Sequence, residues 1–144
     1  MEAKKIKMKT TKEILVFIVD DDPVYLKMLE IFLAKEIADI KIKTFPTGEA
    51  CLHEMHLNPD ILILDYYLNS EFPYAWDGIK VMKKISFSYP YTSIIILSAQ
   101  QSIETAMETI SEGAQEYIVK NEKAFPKIKS SIMNLVEIMN EKDE

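Results

Sequence analysis

The sequence predicts an α/β fold of the doubly wound type, in which helices cover both faces of a five-stranded parallel sheet. Three observations predict it: a length of 144 residues, which suits a single domain, several short apolar runs, and amphipathic stretches between those runs. An apolar run without alternation is typical of a strand that is covered on both faces. Because strand and helix patterns alternate strictly along the chain, the strands are expected to be parallel.

Five segments are predicted to be strands. The first, third and fourth are apolar runs that end at a polar residue, and the second alternates between apolar and polar positions. The predicted strands cover residues 14–19, 40–45, 61–64, 94–97 and 116–119. Right-handed crossovers leave few ways to order five such units, and the flavodoxin-like order 2-1-3-4-5 suits them best.

The first two helices carry recognisable boundary signals. Asp22 is placed to cap the first helix, and Pro23 suits its first turn. Four apolar residues at helical spacing define one face of this helix: Val24, Met28, Ile31 and Phe32. The second helix is predicted over residues 48–57, where Asn58-Pro59 stops it.

The remaining three helices follow the later strands. The third is predicted from about residue 77 to 87, with Ile79, Met82 and Ile85 facing inward. Gly113 is predicted to terminate the fourth helix. The residues that mark the fourth and last helices are Ile103, Ala106, Met107 and Ile110, then Phe125, Ile128, Ile132, Leu135 and Met139.

Composition excludes several classes of function. All 17 basic residues are lysines and the net charge is −6, which disfavours binding to nucleic acid or to an anionic membrane. No apolar run is long enough to span a membrane, and a secretory signal is not expected, because no long apolar stretch follows the N-terminal lysines. A single cysteine, Cys51, is consistent with a reducing, cytoplasmic location. The lysine-rich residues 1–12 are expected to form a flexible leader before one domain over residues 13–144.

Chemically useful side chains gather at the carboxyl ends of four predicted strands. These residues are Asp20 and Asp21 after the first strand, Asp65 after the third, Ser98 after the fourth and Lys120 after the fifth. Ligands of open parallel sheets bind at this edge. Two like charges 4 Å apart repel by roughly 4 kcal/mol at an effective dielectric constant of 20, so converging carboxylates favour a divalent cation such as Mg²⁺. Lys120 would then supply a positive charge, and Ser98 a hydroxyl donor, for a phosphoryl oxygen.

The motifs ILVFIVDDDP, PDILILD, WDGIKVMKKI, IIILSA and GAQEYIVK resemble the receiver domain of bacterial response regulators in two-component signalling. The resemblance covers about residues 13 to 140. It implies a phosphoacceptor role for Asp65, which would take a phosphoryl group from a phosphohistidine. It implies that Asp21, Asp65 and the backbone carbonyl of Tyr67 bind Mg²⁺ or Mn²⁺ directly, and that Asp20 binds it through water.

The resemblance also implies roles for Lys120, Ser98, Tyr117, Tyr67 and Gln100. Lys120 would pair with the phosphoryl group, and Ser98 would hydrogen-bond it. Tyr117 would be the aromatic switch residue that turns inward as Ser98 moves. Tyr67 and Gln100 would modulate hydrolysis of the acyl phosphate, and the bulk of Tyr67 predicts slow hydrolysis.

The implied partners are proteins. A sensor histidine kinase or a histidine phosphotransfer protein would donate the phosphoryl group, and a downstream protein effector would read it. A face formed by the fourth helix, fifth strand and last helix would carry the signal and could form a homodimer. The last helix has additional apolar residues, Met133, Val136 and Ile138, which fit a partner surface and a broad core-facing stripe equally well.

Two other functions fit parts of the sequence. A phosphohydrolase of the haloacid dehalogenase type would use the Asp-x-Asp of FIVDDDPV, but it would leave Asp65 without a role. A receiver-like module that binds partners without phosphorylation is the other alternative, and the complete set of site residues argues against it. The main prediction is therefore a signalling domain, and not an enzyme in the ordinary sense.

Two positions depart from the receiver pattern. Asn121 follows Lys120 where the family has a cis proline, so a trans peptide bond is predicted there. The loop after Asp65 is longer than usual and carries the aromatic-rich residues 69–76. These aromatics could form a lid or a partner contact, although packing on the domain's own surface is favoured.

Overall fold

The five strands form one parallel sheet in the order β2-β1-β3-β4-β5, which confirms the predicted topology. The computed structural model describes residues 13–68 and 74–142. The predictions for the leader 1–12 and for residues 69–73 of the long loop lie outside the described residues. The strands are β1 (Ile14–Val19), β2 (Ile40–Phe45), β3 (Ile61–Asp65), β4 (Ser93–Ser98) and β5 (Glu116–Val119).

Five helices alternate with the strands, as predicted. They are α1 (Pro23–Glu36), α2 (Gly48–Glu54), α3 (Gly78–Ser88), α4 (Ile103–Ser111) and α5 (Ala124–Lys142). The second helix is shorter than predicted, because its last turn over Met55–Leu57 is a 3-10 helix. Asn58 follows it in the left-handed conformation with φ of 56°, which ends the helical path before Pro59.

Alternate residues of each strand face opposite sides of the sheet and build two apolar clusters. Ile61 and Ile63 of β3 pack with α1 and α5, whereas Leu62 and Leu64 pack with α2 and α3. Burial of each such side chain stabilises the fold by about 1.5–3 kcal/mol. Because both faces are covered, β3 must be apolar along its whole length up to Asp65, and this explains its uninterrupted pattern.

The apolar face that spacing defines on α1 is not the side that meets the sheet. The buried residues of α1 are Leu26, Leu29 and Leu33, whereas Val24, Met28 and Ile31 are exposed. Only Phe32 of the spaced set packs against the core cluster. Because α1 carries apolar residues on several sides, spacing alone does not show which side meets the sheet.

The outer helices confirm some packing predictions and refine others. In α3, Met82 and Ile85 are fully buried and Ile79 is partly buried, as predicted. In α5, Val136 is buried and Met133 packs on the core, which supports the core-facing alternative for these two residues. Ile138 is exposed. No helix within the described residues has the length and apolar character needed to cross a membrane.

The fourth helix, α4, leaves several of its apolar side chains exposed. Its predicted extent is confirmed, and Gly113 follows it with φ of +123°, a conformation that favours glycine. Ile103, Met107 and Ile110 are exposed, however, and Thr109 is the buried residue of the helix. The fold therefore presents an apolar surface on α4, next to β5.

Candidate functional site

Three aspartates converge at the carboxyl edge of the sheet. Asp20 and Asp21 directly follow β1, and Asp65 ends the neighbouring β3. Each offers a carboxylate oxygen, and these oxygens lie within 4.8 Å of one another. The three residues are only 1%, 6% and 3% exposed, respectively. The strand ends therefore bring together the acidic residues that the sequence predicted to meet.

Lys120 completes this cluster from β5. Its Nζ lies 2.9 Å from Oδ2 of Asp20 and 3.4 Å from Oδ2 of Asp65. Its backbone N–H donates to the Ser98 carbonyl over 2.8 Å, which fixes the backbone of Lys120 relative to β4. Burial acts to lower the pKa of Lys120, but the charges of Asp65 and Asp20 outweigh it and raise that pKa. The ammonium therefore stays charged among the carboxylates.

The electrostatics of Asp65 are unfavourable in the absence of a cation. Burial raises the pKa of Asp65 to about 7, and the charge of Asp20 adds to this effect. Lys120 and the backbone N–H of Tyr67, which lies 3.3 Å from Oδ1, act in the opposite direction. One lysine thus only partly compensates the carboxylates that converge here.

The donor set fits a hard divalent cation. Carboxylate oxygens that are close together and buried are the ligands that Mg²⁺ and Mn²⁺ take in proteins. No cysteine or histidine among the described residues belongs to this group of ligands. The acidic cluster can therefore hold a metal ion, with Asp20, Asp21 and Asp65 as its protein ligands.

Ser98 and Tyr117 are joined through the backbone of Gln100. Ser98 is fully buried at the end of β4, and its Oγ accepts a hydrogen bond from the Gln100 N–H over 3.1 Å. The Tyr117 hydroxyl donates to the Gln100 carbonyl over 2.7 Å. Gln100 therefore links the predicted serine to the predicted switch tyrosine through its backbone, a connection that the sequence did not reveal.

The loop after β3 is packed closely against the start of α3. The Gly78 N–H donates to the Tyr66 carbonyl over 3.0 Å. A Cβ atom at Gly78 would lie only 2.5 Å from the Asp65 carbonyl oxygen, so glycine is required there for steric reasons. Sequence reasoning did not assign this role to Gly78, although its position after Asp77, the N-cap of α3, was a usable signal. The predicted metal contact of the Tyr67 carbonyl stays a prediction.

The peptide bond after Lys120 is trans, as predicted, since no cis bond occurs in residues 13–68 or 74–142. Asn121 forms a turn that leads into α5. Its Oδ1 accepts from the Lys123 N–H over 2.9 Å, and its carbonyl accepts from the Ala124 N–H over 3.0 Å. Asparagine therefore gives this turn a side-chain hydrogen bond that proline does not offer.

The end of the long loop, as far as it is described, packs partly on the domain. Trp76 contacts the apolar cluster under α2 and α3, and its backbone N–H donates to Oε2 of Glu49 over 3.0 Å. Nζ of Lys80 lies 4.1 Å from the centre of its ring. Tyr74 is 99% exposed. The surface-packing interpretation thus holds for Trp76 and fails for Tyr74, while Phe72 lies outside the described residues.

One aromatic residue near the site was missed from the sequence. Tyr25 lies in the first turns of α1, and Nζ of Lys120 lies 4.4 Å from the centre of its ring. The two residues are far apart in the sequence, so no local pattern connects them. Only the packing of α1 against β1 and α5 brings them together.

The sheet order and the buried site at its carboxyl edge define a doubly wound domain of the signal-receiver class. The family model described as the response regulator receiver domain matches residues 16–132 of this chain. The chain therefore belongs to the response regulator receiver domain family of two-component signalling. The resemblance and the fold predicted from the sequence are both confirmed.

Curated relatives are longer proteins. The chain is 27% identical over 105 residues to the transcriptional regulatory protein TrcR of Mycobacterium tuberculosis, covering 73% of this chain and 38% of TrcR. It is 29% identical over 107 residues to the DNA-binding transcriptional regulator NtrC of Escherichia coli, covering 74% of this chain and 21% of NtrC. The chain thus spans less than half of the length of either relative.

Solved receiver domains share the fold. The signal receiver domain of a putative Luxo repressor protein from Vibrio parahaemolyticus superposes with a TM-score of 0.79 at 22% identity, covering 91% of this chain and 95% of that one. A CheY-like receiver domain protein from Methanospirillum hungatei gives a TM-score of 0.75 at 20% identity, covering 90% and 99%. At these identities the likeness concerns the fold.

Proposed function

We propose that this receiver domain accepts a phosphoryl group on Asp65 and that a divalent cation, Mg²⁺ or Mn²⁺, is required for the transfer. The observation that carries the proposal is the convergence of Asp20, Asp21 and Asp65 with Lys120 in a buried cluster at one sheet edge. Without a bound ligand such a cluster destabilises the fold, because burial and mutual repulsion both disfavour the ionised carboxylates.

The proposed transfer exchanges one bond to phosphorus for another. A carboxylate oxygen of Asp65 forms the new bond as the P–N bond of a phosphohistidine breaks. The imidazole leaves with the electron pair and takes a proton from water. The cation would neutralise phosphoryl oxygens, and Lys120 would pair with another of them. Nζ of Lys120 already lies 3.4 Å from Oδ2 of Asp65, so little reorganisation of these two side chains is needed.

The signal would be transmitted through Ser98, Gln100 and Tyr117. A phosphoryl group on Asp65 carries about −1.5 to −2 charge in place of the single charge of the carboxylate, and it brings new acceptor oxygens. Ser98 could then donate its hydroxyl to one of these oxygens, and this would disturb its bond with Gln100. The Gln100 carbonyl holds the Tyr117 hydroxyl, so the change would reach β5 and the neighbouring α4. The exposed apolar side chains of α4 would be the readout surface.

A sensor histidine kinase or a histidine phosphotransfer protein is the proposed donor, and a downstream protein effector is the proposed target. The face formed by α4, β5 and α5 is proposed as the surface for that effector or for a homodimer. A cytoplasmic location is proposed with these partners. The apolar exposure of Ile103, Met107 and Ile110 is the feature that supports a protein partner on this face.

The dehalogenase-type alternative is disfavoured by the position of Asp22. That chemistry needs the second aspartate of Asp-x-Asp to act beside the first. The Oδ1 of Asp22 instead accepts the N–H groups of Val24 and Tyr25 as the N-cap of α1, and the residue is exposed. Asp22 is therefore explained by helix capping.

Labelling with a small phosphodonor tests the proposal. Acetyl phosphate with Mg²⁺ should give one phosphoryl group per chain that base and hydroxylamine remove, and Asp65→Asn should abolish it. Asp60→Asn is the matched control, because Asp60 directly precedes the strand that Asp65 ends, and it should label normally. Equal labelling of Asp65→Asn would overturn the proposal. Wild type that resists labelling under every divalent cation tried would instead support a receiver-like module that acts without phosphorylation.

A further inference from the structure

We propose that the ring of Tyr25 is a positioning element for Lys120, holding its ammonium over the acidic cluster. The inference rests on the proposed phosphoryl transfer for its functional consequence, but the contact itself can be tested without that transfer. It assigns a role to an aromatic side chain of α1 that belongs to neither the carboxylate cluster nor the predicted switch.

Three neighbours define the position of the lysine ammonium. Nζ of Lys120 lies 2.9 Å from Asp20, 3.4 Å from Asp65 and 4.4 Å from the centre of the Tyr25 ring. A cation over an aromatic face at this distance is attracted by the ring quadrupole. Lysine is a flexible point charge, so two carboxylates alone leave its approach direction open. The ring closes one side of that freedom.

The ring is itself held in place from two directions. The backbone N–H of Tyr25 donates to Asp22 over 3.2 Å, and the N–H of Asp22 donates to Asp20 over 2.9 Å. This chain of bonds fixes the start of α1 relative to the carboxylate that Lys120 contacts. From α5, Phe125 packs edge-on against Tyr25, with ring centres 5.5 Å apart. A ring fixed in this way can orient a flexible side chain.

The hydroxyl group of Tyr25 does not explain its place in the structure. Its oxygen is buried and has no hydrogen-bond partner within residues 13–68 and 74–142. A buried hydroxyl without a partner destabilises a fold. The part of the side chain that makes favourable contacts is therefore the ring, which contacts both Lys120 and Phe125. Phenylalanine should do the same work at this position.

The substitutions Tyr25→Phe and Tyr25→Leu separate the ring from the hydroxyl. The matched control is Phe32→Leu, which removes another ring of the same helix and the same aromatic cluster, where it packs on Phe125 at 5.3 Å. Tyr25→Met, which better fills the volume, replaces Tyr25→Leu if the latter does not fold. Folding of each variant is checked by circular dichroism before the measurements.

The first readout is the NMR signal of the Lys120 Cε protons, assigned by its loss in Lys120→Met. Ring current should shift this signal upfield in wild type, Tyr25→Phe and Phe32→Leu, and the shift should vanish in Tyr25→Leu. The second readout is the initial rate of labelling by acetyl phosphate. It should fall about three- to tenfold in Tyr25→Leu, the range expected for losing a cation–π contact, and change less than about twofold in Tyr25→Phe.

The outcomes distinguish the two proposals. An unshifted Lys120 signal in wild type, or a Tyr25→Leu rate equal to that of Phe32→Leu, overturns the positioning role while leaving phosphorylation of Asp65 intact. A large rate loss in Tyr25→Phe also overturns it, because the hydroxyl would then be the required group. If wild type is not labelled at all, the proposed function fails, and the NMR shift alone decides whether Tyr25 positions Lys120.

Discussion

The two ends of β3 carry the same residue type in opposite electrostatic situations. Asp60 directly precedes the strand and Asp65 ends it. At the amino end, Oδ2 of Asp60 accepts the Leu15 N–H over 2.9 Å, and its backbone groups bond to Leu15 and Ser93. At the carboxyl end, Asp65 is buried beside Asp20, and burial raises its pKa to about 7.

This difference separates a structural aspartate from a functional one. The carboxylate of Asp60 satisfies a backbone donor of the neighbouring strand, so it stabilises the sheet. Asp65 receives one long bond from the Tyr67 N–H and the attraction of Lys120, and burial opposes its charge. A strand-end aspartate is therefore informative about function when the surrounding groups make its charge unfavourable. Its position in the sequence does not decide this.

The largest effect on stability is expected when the positive charge of Lys120 is removed from the acidic cluster. In metal-free protein, Lys120→Met should lower the free energy of unfolding by about 3 kcal/mol, since it leaves buried carboxylates uncompensated. Urea denaturation in EDTA measures it. Added Mg²⁺ should restore part of the loss, because a ligand that binds the folded state stabilises it.

The control for this variant is Lys129→Met. Lys129 pairs with Glu36 at 3.0 Å on the surface, so its loss should change stability by less than about 0.5 kcal/mol. Equal effects of the two lysine substitutions would show that the cluster at the carboxyl edge is not strained, and the comparison of the two strand ends would lose its basis.

A smaller effect of opposite sign is expected for Asp65→Asn. The folded-state pKa of Asp65 is raised, so the wild-type domain without metal loses stability as pH rises from about 4 through about 7. A shift of about three pKa units, which already includes the attraction of Lys120, corresponds to about 4 kcal/mol, and burial of the uncharged asparagine amide offsets part of it. The free energy of unfolding of Asp65→Asn should therefore exceed that of wild type by about 2 kcal/mol near pH 8 in EDTA. This gain should disappear below about pH 5.

Denaturation curves at several pH values check this expectation. Asp60→Asn, measured in parallel, should show no such gain. A stabilisation of Asp65→Asn that persists unchanged at about pH 5 would have to come from something other than the ionised carboxylate.

The smallest effect is expected at the amino end. Asp60→Ala removes the acceptor of the Leu15 N–H and should lower stability by about 1.5 kcal/mol. Its labelling by acetyl phosphate should match that of wild type, because the change lies at the opposite end of β3. Thermal unfolding and labelling on the same preparation test both statements. Impaired labelling in a fully folded Asp60→Ala protein would mean that the two ends are coupled through the strand.

Most of the fold was predictable because its signals are local. Local patterns predicted all five strands, three of them as apolar runs, and Asp22 with Pro23 predicted the start of α1. The convergence of Asp20, Asp21 and Asp65 followed from a general property of parallel sheets, whose carboxyl ends share one edge.

The rest depends on contacts between distant segments. The buried side of α1 could not be identified from the sequence, since apolar residues lie on several sides of that helix. The exposure of Ile103 and Met107 on α4 was likewise not a local property. Packing against a twisted sheet decides which side of a helix is buried, and helical spacing alone does not contain that information.

By itself, the sequence determined the order of the strands, the residue types at their ends and hence the acidic chemistry of one edge. Hydrophobic periodicity and helix capping operate over a few residues, so the linear chain is sufficient for them. The tertiary structure decided that burial and the charge of Asp20 disfavour the ionised carboxylate of Asp65, whereas the carboxylate of Asp60 accepts a backbone hydrogen bond. It also decided that the ring of Tyr25 lies beside Lys120. Burial and charge act through space, so only the assembled fold sets their strength.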